Sequence, residues 1–92
     1  FAVNLLADGQ DDVSNTMASK GIDKFAEVSW QPSRATGSPV IADTLAVIDC
    51  TVHTVHEAGD HYIVVGHVQS LEVGEVSQPL IFSQGKYRSL AD

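Results

Sequence analysis

Two long stretches of alternating apolar and polar residues constrain the fold of this chain more than any other feature. Residues 44–57 carry apolar or small side chains on one face and polar side chains on the other, and residues 61–72 repeat the pattern. Such alternation predicts β-strands, and a short connection containing Gly59 and Asp60 is typical of the turn between paired strands. The sequence therefore predicts a long antiparallel hairpin whose loop is Ala58, Gly59 and Asp60.

Matching the apolar faces of the two strands fixes the expected register of this hairpin, because a slip of one residue would turn every side chain to the opposite face. The expected pairs are Cys50 with Val68, Val52 with Gly66, and Thr54 with Val64. In this register His61 begins the return strand and lies beside solvent. Cys50 lies on the apolar face, where a cysteine is usually an inert small hydrophobic residue.

The polar face of the hairpin carries groups that could bind a metal ion. In the expected register His53 and His67 lie diagonally across the two strands, with Asp49 nearby. Two imidazoles and a carboxylate on adjacent strands often meet by chance, and the sequence shows no further side chains that would orient them. We therefore favour a solvated or dimer-facing strand surface over a metal site.

Shorter elements are predicted on either side of the hairpin. Before the hairpin, a strand is predicted at 1–7 and a helix at 11–21, and a loop at 31–39. Between that helix and the loop we expect a second short helix or turn, with Asp23 as its N-cap and Phe25 pointing inward. After the hairpin, a strand is predicted at 79–84 and a turn with a short strand at 85–90. The expected fold class is mainly β, an antiparallel sheet or barrel with one or two short helices.

Composition excludes several classes of function. The chain has 92 residues, enough for one small domain, and 43% of them are hydrophobic, as in an ordinary globular protein. A net charge of −7 with only five basic residues argues against nucleic-acid binding and against an anionic membrane surface. The single cysteine excludes an intrachain disulfide and fits a cytoplasmic protein, and no apolar run is long enough to span a bilayer.

The tip of the hairpin raises a functional question. A tight turn uses the glycine and often an aspartate, but nothing in turn chemistry requires His61 to follow them. The residues alone allow two interpretations: an ordinary surface turn, or a tip that presents an acid and an imidazole to a polar ligand.

Four segments, taken in order, resemble a known family. They are FAVNLLA, MASKGIDKFAEVSW, GSPVIADTLAVIDCTVHTVHEAGDHYIVVGHVQSL and PLIFSQGKYRSL, and together they are similar to the flavin reductase-like domain, the reductase component of two-component flavin monooxygenases. The most specific marks are Gly59-Asp60-His61, Asp23-Lys24-Phe25 and the PLIFSQGKYR ending. The resemblance covers only the C-terminal portion of the family's domain. We therefore expect residues 1–92 to be one domain whose N-terminal part is missing.

The resemblance implies an FMN-binding split β-barrel, Greek-key-like in its connections, that uses NADH or NADPH to reduce FMN or FAD for a partner monooxygenase. It assigns Gly59, Asp60 and His61 to the nicotinamide dinucleotide. The residues that it assigns to the flavin are Asn4, Ser19, Lys24 and Phe25, with Tyr87 and Arg88 as additional candidates. No catalytic side chain is expected, because hydride passes between the cofactors themselves. The family also implies a cytoplasmic homodimer.

Two other functions remain open at this stage. One is a non-catalytic split-barrel protein that binds flavin or haem, and the other is a purely structural β-domain fragment. Oxidation of NADH or NADPH with added free flavin would separate the reductase from both. A visible absorbance spectrum would separate the two alternatives from each other.

Overall fold

The structure, a computed structural model, describes residues 1–75 and 78–90. Its elements in chain order are β1 (Ala2–Leu5), α1 (Asp11–Ala18), a 3₁₀ helix (Lys24–Ala26), β2 (Trp30–Pro32), β3 (Pro39–Ile41), β4 (Ala46–Ala58), β5 (His61–Val73), β6 (Ile81–Ser83) and β7 (Lys86–Arg88). The predicted mainly β class is confirmed, and so is the small helical content.

All strand pairs within the described residues are antiparallel. The central sheet has the order β1-β4-β5, while β2 with β3 and β6 with β7 form two separate hairpins. The last hairpin is tied to the end of β1 by a bridge between Ala7 and Pro79, where the Leu80 amide donates to the carbonyl of Leu6 at 2.9 Å. The chain therefore returns at its end to the strand with which it begins.

The predicted register of the long hairpin is confirmed near its middle and is wrong near its tip. Cys50 pairs with Val68 and Val52 with Gly66, as expected, but Thr54 pairs with Val65 and Ala58 pairs with His61. The loop therefore has two residues, not three.

A β-bulge accounts for the difference. The register shifts between Val52 and Thr54, so that His53 is an extra residue on β4. Gly59 has a φ of 68°, whereas Asp60 does not have a positive φ. A two-residue loop with glycine in the first position and a positive φ there has the form of a type II′ turn.

A second bulge lies opposite Asp49 and Cys50. The register shifts again between Asp49 and Cys50, which leaves Gln69 as an extra residue on β5. Asp49 and Cys50 are consecutive, yet they are only 2% and 4% exposed. The expectation that Asp49 lies on a solvated face beside His53 and His67 was therefore wrong, because the β2–β3 hairpin covers Asp49 at this end of β4.

The predicted loop at 31–39 was also wrong in part, because it contains most of the β2–β3 hairpin. Trp30 pairs with Ile41, and the amide of Ser33 donates to the carbonyl of Ser38 at 2.8 Å, which closes a loop of residues 33–38. Gly37 has a φ of 75° within this loop. Each strand has only three residues, too few for periodicity to be recognised.

Two predictions about the helical region also need correction. The first helix ends at Ala18, three residues before Gly21, and Ser19 is its C-cap. Phe25 does not point into a core: it is 36% exposed and packs against the ring of Trp30. No helix of the described chain is long and apolar enough to cross a membrane.

The core is small and lies where β1, β3 and the first half of β4 meet. Its buried hydrophobic residues are Ala7, Val28, Ile41, Ala46, Val47 and Cys50. The outer half of the hairpin is exposed on both faces, since the consecutive residues Ile63, Val64 and Val65 are all exposed although their side chains alternate in direction. No other described element covers this part of the hairpin.

Candidate functional site

The tip of the long hairpin presents an acid and an imidazole together. Nδ1 of His61 lies 2.8 Å from Oδ1 of Asp60, and the two side chains are 67% and 99% exposed. An ionised carboxylate can only accept a hydrogen bond, so Nδ1 donates to it and Nε2 of His61 is left for another partner. The positive φ of Gly59 allows the tight turn. The contact with Asp60 orients the imidazole of His61, which faces solvent.

Asn4, one of the predicted flavin residues, lies far from the tip in the central sheet. Asn4 pairs with Val47, and Val47 is eleven residues before Ala58 on β4. At about 3.3 Å per residue, this places the tip roughly 35 Å from Asn4 along the strand. The described residues therefore do not bring Asn4 together with the predicted nicotinamide residues.

The amide of Asn4 holds two strands together. Nδ2 donates to the carbonyl of Pro39 at 3.1 Å, and Oδ1 accepts from the amide of Ile41 at 2.9 Å. Both polar atoms of the side chain are thus engaged with β3. The role that the structure shows for Asn4 is to join β1 to β3, and its assignment to flavin stays a prediction.

Ser19, Lys24 and Phe25 lie around the end of α1 and the 3₁₀ helix. The hydroxyl of Ser19 donates to the carbonyl of Asn15 at 2.8 Å, which satisfies one acceptor in the last turn of α1. Lys24 begins the 3₁₀ helix and is half-buried. The ring of Phe25 contacts Trp30 with a centroid distance of 5.4 Å and an interplanar angle of 59°.

Tyr87 and Arg88 belong to the last hairpin. The hydroxyl of Tyr87 lies 2.8 Å from Oγ of Ser14 and 3.0 Å from Oδ1 of Asn15, so β7 is joined to α1. Arg88 lines a small cavity of about 200 Å³ together with Asp8. These contacts make Tyr87 a structural link within the described chain.

The cluster around Asp49 was missed at the sequence level. Oδ1 of Asp49 accepts a hydrogen bond of 2.6 Å from the hydroxyl of Thr36. Thr36 has a single hydroxyl proton, which it donates to Asp49, so the hydroxyl of Ser38, 2.6 Å away, donates to Thr36. The hydroxyl of Ser33 lies 3.1 Å from the hydroxyl oxygen of Thr36. The sequence signal was the three hydroxyl residues within 33–38, although nothing in the pattern identified their acceptor.

The hydroxyl groups of Thr36 and Ser33 favour the ionised form of Asp49. The hydrogen bond from Thr36, followed by the hydroxyl of Ser33, lowers the pKa of Asp49 below its ordinary value, although burial opposes this effect. Oδ2 of Asp49 is buried and has no hydrogen-bond partner. An ionised carboxylate therefore lies beneath the β2–β3 hairpin, and hydroxyl groups stabilise it.

A cavity of about 540 Å³ adjoins this cluster, between the β2–β3 hairpin and one face of β4 and β5. It is lined by Trp30, Arg34, Asp49, Ser70 and Glu72, among others. No group of three or more His, Cys, Asp or Glu side chains within residues 1–75 and 78–90 is arranged to hold a metal ion.

Comparison with known proteins shows that the chain is similar to flavin reductases. The family model of the flavin reductase like domain matches residues 1–91. The reductase subunit HsaB of a flavin-dependent monooxygenase from Mycobacterium tuberculosis is 50% identical over 92 residues, covering 98% of this chain and 49% of the relative. A flavin reductase from Pseudomonas putida is 45% identical over 91 residues, covering 99% of this chain and 53% of the relative.

Solved structures share the fold. Nitrilotriacetate monooxygenase component B from Mycobacterium thermoresistibile superposes with a TM-score of 0.89 at 44% identity, covering 98% of this chain and 51% of the other. The NADH:FAD oxidoreductase SgcE6 from Streptomyces globisporus, in complex with NAD and FAD fragments, gives a TM-score of 0.87 at 32% identity, covering 95% of this chain and 53% of the other. The chain spans about half the length of the relatives that it matches.

Proposed function

Because the chain belongs to the flavin reductase like domain family, we propose that it is part of an NAD(P)H:flavin oxidoreductase that supplies reduced FMN or FAD to a partner monooxygenase. The observation that carries the proposal is the family match over residues 1–91, together with relatives that are reductase subunits of flavin-dependent monooxygenases. A protein related to this chain has been solved with NAD and FAD fragments, which supports these cofactor classes.

The hairpin tip is suited to a nicotinamide dinucleotide. Asp60 orients the imidazole of His61 through Nδ1, and the exposed Nε2 can accept a hydrogen bond in the neutral ring or donate one when the ring is protonated. A dinucleotide offers both kinds of group, in its hydroxyls and in its phosphates. Gly59, Asp60 and His61 would therefore bind and orient this co-substrate without taking part in bond breaking.

The chemistry requires little of the side chains. When bound, the nicotinamide and the flavin supply the hydride donor and acceptor, so the protein has to orient the two rings and exclude water. Lys24, half-buried at the start of the 3₁₀ helix, is a point charge suited to a flavin phosphate. Phe25 and Trp30 provide an apolar surface beside it.

The exposed hairpin supports association with a second subunit. Its outer half carries apolar side chains on both faces, and an unpaired apolar strand readily pairs with another chain. A homodimer, in which a second copy covers these faces, accounts for that surface. A cytoplasmic location is part of the same proposal and accords with the single, buried Cys50.

A steady-state assay on the full-length protein tests the proposal. We expect the absorbance at about 340 nm, which reports the reduced nicotinamide, to fall at a rate that depends on added flavin. NADH and NADPH are each tested with FMN and with FAD, and a reaction without flavin is the control. Absence of a flavin-dependent rate in all four combinations would overturn the proposal, and a bound chromophore without turnover would favour a non-catalytic binding protein.

A further inference from the structure

A second imidazole lies on the same face of the hairpin tip as that of His61. Ala58 pairs with His61 across the turn. His56 is two residues before Ala58 on β4, and no register shift lies between them. Side chains two residues apart on a strand share one face, so His56, Ala58 and His61 point to the same side of the hairpin. His56 is thus the diagonal neighbour of His61, and the Cβ atoms of such neighbours are about 7 Å apart.

This face of the tip is open to a ligand. The side chains of His56 and His61 are both exposed, whereas Ala58 is half-buried and carries only a methyl group. The smallest side chain of the three therefore lies beside the two rings. A group that rests on Ala58 can contact both imidazoles at once.

The two rings have different hydrogen-bond neighbours. Nδ1 of His61 donates to Asp60, which leaves Nε2 of the neutral ring as an acceptor. In His56 it is Nε2 that has a neighbour, since it lies 3.4 Å from the hydroxyl of Thr54 on the same face. When this hydroxyl donates to Nε2, the proton of the neutral ring is on Nδ1, which then donates. One imidazole accepts a hydrogen bond where the other donates one.

We propose that His56 binds a phosphate of the nicotinamide dinucleotide by donating a hydrogen bond from Nδ1, while Nε2 of His61 accepts one from the adjoining ribose. The inference rests on the proposed function, whose co-substrate is this dinucleotide, and it adds a residue outside Gly59-Asp60-His61. An ionised phosphate oxygen only accepts hydrogen bonds, whereas a ribose hydroxyl can donate one. The phosphate and its ribose are bonded to each other, so a donor and an acceptor on neighbouring rings suit the two groups together.

Thr54 acts in this site as a positioning residue. Its hydroxyl contacts the ring of His56 and not the ligand, so it determines which nitrogen of His56 carries the proton. Asp60 has the same relation to His61. Each imidazole at the tip is therefore oriented by one neighbouring oxygen.

Steady-state kinetics of the full-length protein with two hydride donors test the inference. NADH carries phosphates, whereas N-benzyl dihydronicotinamide has the same reacting ring and no phosphate. We expect His56→Ala to raise the KM for NADH about fivefold, as the loss of one hydrogen bond does, with kcat nearly unchanged. The rate with the benzyl donor and the KM for the flavin should not change.

Conservative variants identify the nitrogen and the role of Thr54. Asparagine can place its amide NH₂ close to the position of Nδ1, so His56→Asn should keep a KM for NADH near that of the wild type. The longer glutamine reaches the position of Nε2, so His56→Gln should resemble His56→Ala. The reverse order would contradict donation from Nδ1. Thr54→Val should raise the KM for NADH about twofold, and Thr54→Ser, which keeps the hydroxyl, should restore it.

His67→Ala is the matched control. It removes an exposed imidazole from the same face of β5, six residues and therefore roughly 20 Å from His61. An unchanged KM for NADH in His56→Ala, an equal loss with the benzyl donor, or a changed oligomeric state in light scattering would overturn the inference. A wild type that oxidises NADH with added flavin but gives any of these results retains the proposed function and loses only this contact. A wild type without flavin-dependent oxidation would overturn both.

Discussion

Thr36 and Asp49 are joined by a hydrogen bond of 2.6 Å that connects the loop of the β2–β3 hairpin to the middle strand of the central sheet. Thr36 lies thirteen residues before Asp49, and the bond links two sheets that the side chain of Asn4 also joins. The acceptor is buried while its donor lies in a loop, so the loop depends on the sheet for its position. Two predictions follow from this pair.

Thr36→Val should destabilise the protein, whereas Thr36→Ser should preserve most of its stability. Valine has nearly the shape of threonine but cannot donate, so the buried carboxylate of Asp49 would lose its closest partner. Serine retains the hydroxyl. Urea denaturation should show a lower midpoint for the valine variant than for the serine variant, at an unchanged slope. Equal midpoints would show that the bond does not contribute to stability.

The stability difference between the wild type and Asp49→Asn should depend on pH. The pKa of Asp49 is lowered in the folded protein, mainly by Thr36, so ionised Asp49 favours the folded state at pH values above its ordinary value of 3.8. This contribution is lost as the pH falls through the lowered folded pKa. The urea midpoints of the two proteins should therefore differ more at pH 7 than in strong acid. A difference that does not change with pH would contradict the assignment of charge.

His61→Ala should impair use of the nicotinamide much more than it impairs folding. The side chain is 67% exposed and contacts Asp60, so its removal leaves no cavity. The expected loss in kcat/KM for NAD(P)H is on the order of 1–3 kcal/mol, typical of removing one hydrogen-bonding group. His67→Ala, at an exposed position farther down β5, is the control. An unchanged kcat/KM for His61→Ala would make Gly59-Asp60-His61 an ordinary turn.

Residues 1–92 expressed alone should associate and should bind flavin weakly. The outer part of the hairpin exposes apolar residues on both faces and unpaired strand edges, which favour pairing with another chain. Light scattering after size exclusion should show oligomers, and Val64→Lys should reduce them by placing a charge on the exposed strand. A monomer of unmodified residues 1–92 that binds flavin tightly would contradict the prediction.

Gly74→Ala should be more damaging than Gly66→Ala. A Cβ at Gly74 would overlap the backbone carbonyl oxygen of Thr44, which can move only if the chain moves. A Cβ at Gly66 would instead meet the far end of the Phe1 ring at 2.6 Å, and that ring can rotate away. Thermal unfolding of the two variants compares them directly. A Tm for Gly74→Ala at or above that of Gly66→Ala would show that the carbonyl is not fixed.

The sequence predicted the long hairpin because thirteen-residue strands show many periods of alternation. It could not predict the bulges at His53 and Gln69, because no residue type marks the position of a bulge in a strand. For this reason the pairing near the tip was missed, while the burial of Asp49 was missed because the β2–β3 hairpin that covers it was not predicted.

The candidate site was predictable where its residues are neighbours in sequence and was missed where they are not. Gly59, Asp60 and His61 are neighbours in sequence, so their contact follows from the turn itself. The cavity at Trp30 and Arg34 depends on how the β2–β3 hairpin packs across the sheet, and two strands of three residues gave no signal of that packing. Contacts between distant parts of the chain, such as Thr36 with Asp49, are determined by tertiary structure.

The two bulges have a consequence for the lengths of the strands. Gln69 is the extra residue on β5 and His53 is the extra residue on β4, so each strand has gained one residue relative to the other and the gains cancel at the turn. Deleting either residue alone would remove one bulge and would leave the other pairs of the hairpin, and the turn at Gly59, as they are. A deletion elsewhere in either strand would instead shift all pairs on one side of it. His53 and Gln69 are therefore the positions at which the hairpin can lose a residue and keep its pairing.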